Sequence, residues 1–130
     1  MVIDTSALLA ILQDEPARRR FNERIESDPR RLLSAATLLE TGIVLECRGG
    51  EAAGRELDLL LHRARIEVVP VDSDQVEIAR AAFRLYGKGR HPAALNFGDC
   101  FSYALAMATG EPLLFKGEDF ARTDVAPASA

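Results

Sequence analysis

Apolar residues follow two different spacings along this chain, and each spacing predicts its own kind of element. Short apolar segments predict four strands, at residues 1–4, 30–34, 66–71 and 112–115. Between them, apolar residues recur every three or four positions, which predicts helices over 5–12, 17–27, 35–48, 51–65, 73–86 and 97–110. A weak fifth strand is predicted at 120–126. Because strands alternate with helices, we predict an α/β fold: a three-layer α/β/α sandwich with a central, mainly parallel sheet of four to five short strands.

The helix over 35–48 carries an apolar stripe that predicts its buried face. Its members are Ala36, Leu39, Ile43, Val44 and Cys47. Glu40 lies among them, since its neighbours three and four positions away are Ala36, Thr37, Ile43 and Val44. An unpaired charge on a buried face is costly. Glu40 is therefore expected to bind a metal or to form a buried salt bridge. The Gly49–Gly50 pair predicts the end of this helix.

Length and composition predict one domain. The chain has 130 residues, of which 48% are hydrophobic, enough for one core that buries about two-thirds of the unfolded surface. Residues 1–130 are read as a single domain, with 126–130 as a frayed tail. No apolar stretch approaches the roughly 18 residues that span a bilayer, so we expect a soluble, cytoplasmic protein without a membrane segment. Cys47 and Cys100 lie in apolar helical patterns and are predicted to be reduced core residues.

Charge narrows the modes of nucleic-acid binding. A net charge of −4 argues against a protein that coats nucleic acid by bulk charge, because that mode needs a broad basic face. Lys88, Arg90 and His91 nevertheless crowd one loop shortly before Asp99. They are interpreted either as phosphate-binding residues or as a solvated surface.

Two acidic residues stand at predicted element boundaries. Asp4 ends the first strand, and open α/β sheets bind ligands at the carboxyl ends of their strands. Thr5 and Ser6 add hydroxyls beside it. Asp99 opens a helix, and Asn96 three residues earlier could cap that helix or orient Asp99. Asp4 and Asp99 could each serve simply as helix caps.

A further acid follows the last predicted strand. Asp119 lies just beyond residues 112–115, with Glu118 as its rival and a turn or cap as the structural alternative. If the fold gathers Asp4, Glu40, Asp99 and Asp119, they form an oxygen cage for a hard cation, because clustered carboxylates need a counter-charge. A cage of this kind predicts a metal-dependent enzyme that acts on phosphate esters.

Four motifs cover nearly the whole chain in a fixed order. They are VIDTSAL at 2–8, SAATLLETGIVL at 34–45, LNFGDCFSYALA at 95–106 and EPLLFKGEDF at 111–120. In order and spacing they resemble the motifs of PIN-domain ribonucleases, specifically the VapC-type toxins of toxin–antitoxin pairs. One position departs from that pattern: related chains often carry an acid where this one has Gly117.

The resemblance implies a Mg²⁺- or Mn²⁺-dependent endoribonuclease with one or two ions, a cognate VapB-type antitoxin and a homodimer. Transfer RNA is the family-level expectation for the substrate. Asp4, Glu40 and Asp99 match the family's acidic triad and Asp119 its fourth acid. Asp4 and Asp99 are expected to bind metal directly, with Glu40 and Asp119 binding directly or through water.

The residue types also predict a mechanism. Metal ions held by the carboxylates would bind the scissile phosphate, activate water and stabilise the leaving 3′ oxygen, which gives 5′-phosphate and 3′-hydroxyl ends. Thr5 or Ser6 would orient a water molecule. Lys116, with Lys88, Arg90 and His91, would hold flanking phosphates. His91 is disfavoured as a general base, because activation of water by a metal makes it redundant.

Three other classes of protein share features of this sequence. The chain could be a non-catalytic PIN-like binding module in which the acids serve as caps and ion pairs. It could be another metal-dependent phosphoesterase, although a haloacid dehalogenase needs a second acid where Ser6 stands. A receiver domain needs a pair of acids ahead of its phosphorylated aspartate, and this chain has no such early pair.

Overall fold

The central sheet has four strands, all parallel. The structure is a computed structural model that describes residues 1–128. The strands are β1 (Val2–Ile3), β2 (Leu32–Ser34), β3 (Glu67–Val69) and β4 (Leu113–Leu114), in the order β3-β2-β1-β4. The helices are α1 (Thr5–Leu12), α2 (Arg18–Ser27), α3 (Ala35–Arg63), α4 (Ser73–Tyr86) and α5 (Phe97–Thr109).

Helices cover both faces of this sheet. Ile3, Leu33 and Leu114 point into one core cluster, which they share with apolar residues of α1, α2 and α3. Their strand neighbours Val2, Leu32 and Leu113 point into a second cluster with residues of α4 and α5. Successive strand residues face opposite sides of a sheet, so two cores form on a single layer of strands. The predicted three-layer α/β/α sandwich is confirmed.

The strand order also locates the most favourable ligand position. The chain adds β2 and β3 on one side of β1 and then returns to place β4 on the other side. The order therefore reverses between β1 and β4. Open α/β sheets bind ligands outside the carboxyl ends of the strands at such a reversal. Asp4 directly follows β1, and Asp119 follows β4 by five residues.

Helix α3 combines the two helices predicted over 35–48 and 51–65. A single helical element runs over Ala35–Arg63, and the predicted break at Gly49–Gly50 appears within it as a kink. Only Gly50 leaves helical geometry, with φ 68° and ψ −167°, which produces a kink. Glycine adopts positive φ without a steric penalty, so the chain bends here and remains helical beyond.

The predicted buried face of α3 is wrong. Leu39 and Ile43 are 65% and 54% exposed, and Cys47 is exposed as well. The buried residues are Thr37, Thr41, Leu45 and Leu57. Thr37 and Thr41 take this position because their hydroxyls form hydrogen bonds with side chains of α5 and α1, which an apolar periodicity cannot reveal. Of the two cysteines, only Cys100 lies in the core as predicted.

The end of the chain also departs from prediction. No strand forms at 120–126, where Phe120–Arg122 instead makes a short 3-10 helix that buries Phe120. Pairing with β4 begins later, since Leu113 N donates to Ala126 O and Ala128 N donates to Leu113 O, each at 2.8 Å. The predicted frayed tail is therefore wrong for 126–128, and residues 129 and 130 lie outside the described part. None of the helices described has both the length and the apolar character of a membrane span.

Candidate active site

Asp4 is a buried carboxylate with three hydrogen-bond donors. Its Oδ2 accepts from Ser6 N at 3.0 Å and from Ser6 Oγ at 2.7 Å, which caps α1. Its Oδ1 accepts from Ser102 Oγ of α5 at 2.6 Å. The side chain is 3% exposed. The capping interpretation is thus correct for one oxygen, while the other oxygen contacts a different helix.

Glu40 projects from α3 toward the starts of α1 and α5. Thr5 Oγ1 donates to Glu40 Oε1 at 2.5 Å. The second oxygen, Oε2, lies so close to Gly98 that a Cβ there would be 1.8 Å away. Glycine at 98 therefore makes room for the carboxylate. Within residues 1–128 no ion pair involves Glu40, so the salt-bridge interpretation is wrong.

Asp99 belongs to a capping box at the start of α5. Asn96 is the cap, and its Oδ1 accepts from Asp99 N at 2.9 Å. In return Asp99 Oδ2 accepts from Asn96 N at 3.0 Å. Asp99 therefore supports the cap through one oxygen.

The four predicted acids act on one another electrostatically. The pKa of Asp99 is raised to about 6, chiefly by burial and also by the charges of Asp4, Glu40 and Asp119, against the lowering effect of the Asn96 amide. Asp119 is among the groups that raise this pKa and Glu118 is not, while the choice of Asp119 as the fourth acid stays a prediction. Asp119 makes no side-chain bond to the 3-10 helix that follows it. The fold therefore draws together acids from four separate segments.

The hydroxyls of Thr5 and Ser6 serve these carboxylates. Thr5 donates to Glu40, and Ser6 donates to Asp4 while accepting from Lys116 N at 2.9 Å. Sequence reasoning missed a second set of residues around the acids, three with hydroxyl side chains and one glycine. They are Thr37, Thr41, Gly98 and Ser102. Only the spacing of Thr37 and Thr41, one helical turn apart on either side of Glu40, could have signalled it.

The predicted basic residues do not contact the acids through their side chains. Lys116 pairs with Glu15 through its ammonium group. His91 Nδ1 accepts from Ala93 N at 3.0 Å, and Arg90 lies over the ring of Phe83 at 5.9 Å. Lys88 is exposed. A phosphate-binding role for Lys88, Arg90, His91 and Lys116 therefore stays a prediction.

The donor set suits a hard divalent cation. All four acids offer carboxylate oxygen, which Mg²⁺ and Mn²⁺ prefer. The pKa of Asp99 is raised by burial and by the charges of neighbouring acids, and a bound cation would favour its charged form. Across residues 1–128, no three His, Cys, Asp or Glu side chains already converge closely enough to form a finished cage. The residues therefore fit the metal in the chemistry of their donor atoms.

Comparison with known proteins identifies the family. A model of the PIN domain matches residues 1–126. Ribonuclease VapC30 of Mycobacterium tuberculosis is 62% identical over 126 residues, which cover 97% of this chain and 96% of that protein. The chain belongs to the PIN-domain VapC family. Ribonuclease VapC of Mycolicibacterium smegmatis is also 62% identical, over 97% of this VapC-family chain and 98% of its own length.

Solved structures agree with this VapC-type fold. The crystal structure of the sarcin-ricin loop cleaving toxin VapC20 of M. tuberculosis matches with a TM-score of 0.79 at 20% identity, covering 99% of this chain and 98% of that one. VapBC-1 from nontypeable Haemophilus influenzae matches with a TM-score of 0.75 at 18% identity, covering 96% and 93%. At these identities the likeness concerns the fold alone. Family membership removes the haloacid dehalogenase and receiver interpretations.

Proposed function

We propose that this VapC-family protein is a metal-dependent endoribonuclease and the toxin of a toxin–antitoxin pair. It hydrolyses RNA phosphodiester bonds to leave 5′-phosphate and 3′-hydroxyl ends. The observation that carries the proposal is geometric: Thr5 binds Glu40, Ser102 binds Asp4, and Glu40 lies against Gly98, the residue before Asp99. The pKa of Asp99, raised by burial and by the charges of Asp4, Glu40 and Asp119, agrees with it. Four acids drawn from distant segments serve no shared structural purpose unless a cation joins them.

Each acid has a distinct role in this proposal. Asp4 and Asp99 hold Mg²⁺ or Mn²⁺ directly, and Glu40 and Asp119 bind directly or through water. One or two such ions would bind the scissile phosphate, activate water and stabilise the leaving 3′ oxygen. The carboxylates set the position of the ions, so no protein nucleophile takes part.

The hydroxyls beside the acids act on orientation. Thr5 and Ser6 each donate their only side-chain proton to a carboxylate. In this arrangement either hydroxyl can orient a water molecule only by accepting a hydrogen bond from that water. Their main effect is to fix Glu40 and Asp4, which keeps the charges aimed at one region.

The proposal is tested by cleavage of a structured RNA. Purified protein is incubated with Mg²⁺ or Mn²⁺, with EDTA, and as the Asp4→Asn variant. We expect cleavage only by the unaltered protein in the presence of Mg²⁺ or Mn²⁺. The products should carry a 5′-phosphate. Asp58→Asn, an exposed acid on α3, is the matched control and should cleave normally. Cleavage that survives both EDTA and Asp4→Asn would refute the metal mechanism.

The partners proposed are RNA, with transfer RNA as the family-level candidate, a VapB-type antitoxin and a second copy of the chain, all in the cytoplasm. Two structural neighbours are toxin–antitoxin assemblies by name, one from Klebsiella pneumoniae and VapBC-1. Large apolar side chains also remain exposed, including Leu39, Ile43 and Phe97, the last at 80%. Exposed patches of this kind mark protein interfaces. Light scattering of the protein with and without the product of a neighbouring reading frame tests both partners.

A non-catalytic PIN-like module is the second candidate. It is favoured by the hydrogen bonds that already engage Asp4, Glu40 and Asp99, and by the lack of a finished metal cage among residues 1–128. It predicts that Mn²⁺ leaves thermal stability unchanged and that no RNA is cut. An ion that binds only the folded state must raise the melting temperature, so a thermal titration with Mn²⁺ separates the two candidates.

A further inference from the structure

Two buried hydroxyls form a chain that ends on Asp4. Ser102 Oγ lies 2.6 Å from Asp4 Oδ1, and Thr37 Oγ1 lies 3.2 Å from Ser102 Oγ. An ionised carboxylate only accepts, so the single proton of Ser102 is donated to Asp4, and Thr37 must donate to Ser102. Ser102 and Thr37 are 0% and 1% exposed, so bulk water does not compete. The direction of each hydrogen bond in the chain is therefore determined.

The hydrogen bonds to Asp4 occupy its two oxygens unequally. Oδ2 accepts twice, from the amide and the hydroxyl of Ser6. Oδ1 accepts once, from Ser102. A carboxylate has about two lone-pair positions on each oxygen. Oδ2 is therefore filled, and Oδ1 keeps one position for a further ligand.

The two oxygens also serve different elements. Oδ2 caps the helix that Asp4 begins, and that cap involves only Ser6. Oδ1 is tied to α5, the helix that carries Asp99 three residues before Ser102. Thr37 extends the tie to α3, the helix of Glu40. The chain of hydroxyls thus couples the orientation of Asp4 to the two helices that supply the neighbouring acids.

We propose that Ser102, supported by Thr37, positions Asp4 so that Oδ1 is the oxygen that binds the divalent cation. This rests on the proposed metal-dependent function and assigns positioning residues to that site. Hydrogen-bond partners of metal ligands fix ligand orientation, and their loss typically weakens metal binding by about 10- to 100-fold. Ser102 therefore sets the affinity of the site for its metal, and removal of its hydroxyl should reduce that affinity by about 10-fold or more.

The test measures Mn²⁺ binding rather than cleavage. Metal-stripped protein is titrated with Mn²⁺, and bound ion is measured by the loss of the free-ion electron paramagnetic resonance signal. We expect Ser102→Ala to weaken binding, and Ser102→Thr, which keeps the hydroxyl, to restore it. Thr37→Val should have a smaller effect in the same direction, because Ser102 can still donate to Asp4.

Thr109→Val is the matched control. Thr109 lies on the same helix and donates its hydroxyl to Leu105 O at 2.7 Å, away from the acids. Removal of the Thr109 hydroxyl should leave the affinity for Mn²⁺ unchanged. If Ser102→Ala does not fold, Ser102→Cys decides the question, because the thiol fills similar space but donates weakly. We expect it to bind Mn²⁺ weakly.

The outcomes separate this inference from the proposed function. If the unaltered protein binds Mn²⁺ and folded Ser102→Ala binds it equally well, the positioning role is refuted while the metal-dependent function stands. If the unaltered protein binds no Mn²⁺, the proposed function and the positioning role both fail. Weak binding by Ser102→Ala with recovery in Ser102→Thr supports the inference, since a purely structural defect would not follow the hydroxyl.

Discussion

Replacing Asp99 by asparagine should stabilise the metal-free protein at neutral pH while abolishing RNA cleavage. Burial and three neighbouring acids raise the pKa of Asp99 from 3.8 to about 6. The folded state therefore holds a proton on Asp99 that the unfolded state has already released above pH 4. That proton contributes stability fully below pH 4, and the contribution is lost as the pH rises through 6. At pH 7 the charged Asp99 is a cost that asparagine does not carry.

The expected gain in the free energy of unfolding of Asp99→Asn is the difference between two opposing effects. A shift of about two pKa units corresponds to roughly 3 kcal/mol. Asp99 is partly exposed, so solvent screening reduces this to about 1.5 kcal/mol. Asparagine can still accept from Asn96 N, but it loses a favourable negative charge in the first turn of α5, about 0.5 kcal/mol. The net gain is about 1 kcal/mol, or a rise of about 4 °C in melting temperature for a domain of this size.

Thermal and urea unfolding in EDTA at pH 4.5 and pH 7 measure this gain. We expect the advantage of Asp99→Asn to be clear at pH 7 and to shrink at pH 4.5, where Asp99 is itself mostly protonated. Asp72→Asn is the matched control, because Asp72 Oδ1 accepts from Gln75 N at 2.9 Å at the start of α4, and Asp72 is not among the acids that raise the pKa of Asp99. It should give no gain at pH 7. A marked loss of stability in Asp99→Asn at pH 7 would show that capping dominates and that the acids do not repel one another as inferred.

Three further predictions concern other parts of the molecule. Gly98→Ala places a Cβ 1.8 Å from Glu40 Oε2, so the flexible carboxylate must move and RNA cleavage should fall. Because alanine favours a helix over glycine, thermal unfolding followed by circular dichroism should show stability unchanged or raised by about 0.5–1 kcal/mol. Tyr103→Phe removes a hydrogen bond to Asp124 and should cost about 1 kcal/mol in urea unfolding with cleavage unchanged; equal stability would refute the bond's contribution. Cys47 is exposed, whereas burial raises the pKa of Cys100 to about 11. Ellman's reagent should therefore label only Cys47 in the native protein and both thiols in urea. Cys47→Ser should abolish labelling of the native protein.

Local patterns predicted most of the elements because strands and amphipathic helices leave direct periodic signals. Helices α1 and α4 have the predicted bounds, Thr5–Leu12 and Ser73–Tyr86. The failures occur where tertiary contacts decide. The stripe through Leu39 and Ile43 is apolar but exposed, because the inner face of α3 combines the hydrogen-bonded Thr37 and Thr41 with the core residues Leu45 and Leu57. The pairing of Pro127 with Leu113 depends on a strand 14 residues earlier, which a local pattern does not contain.

In the candidate site too, local patterns predict some residues, and contacts between distant segments determine the others. Asp4, Asp99 and Asp119 could be selected from their positions at element boundaries and from motif order. The apolar stripe predicts a buried position for Glu40, yet that position follows from space left by Gly98 and a bond from Thr5. The proposal for Glu40 survives although the reason for selecting it was wrong. Contacts between helices distant in sequence supplied the correct reason.

The kind of donor at this site explains how acids can coexist in the metal-free protein and still attract a cation. The donors to Asp4, Glu40 and Asp99 are hydroxyls and backbone amides, all of them neutral. A lysine or arginine in their place would hold the carboxylates equally well, but it would cancel their charge and repel a divalent ion. Neutral donors orient the carboxylates and leave the negative charge in place. The charges left in place add to the effect of burial in raising the pKa of Asp99, and a bound cation would offset both effects by stabilising the charged form.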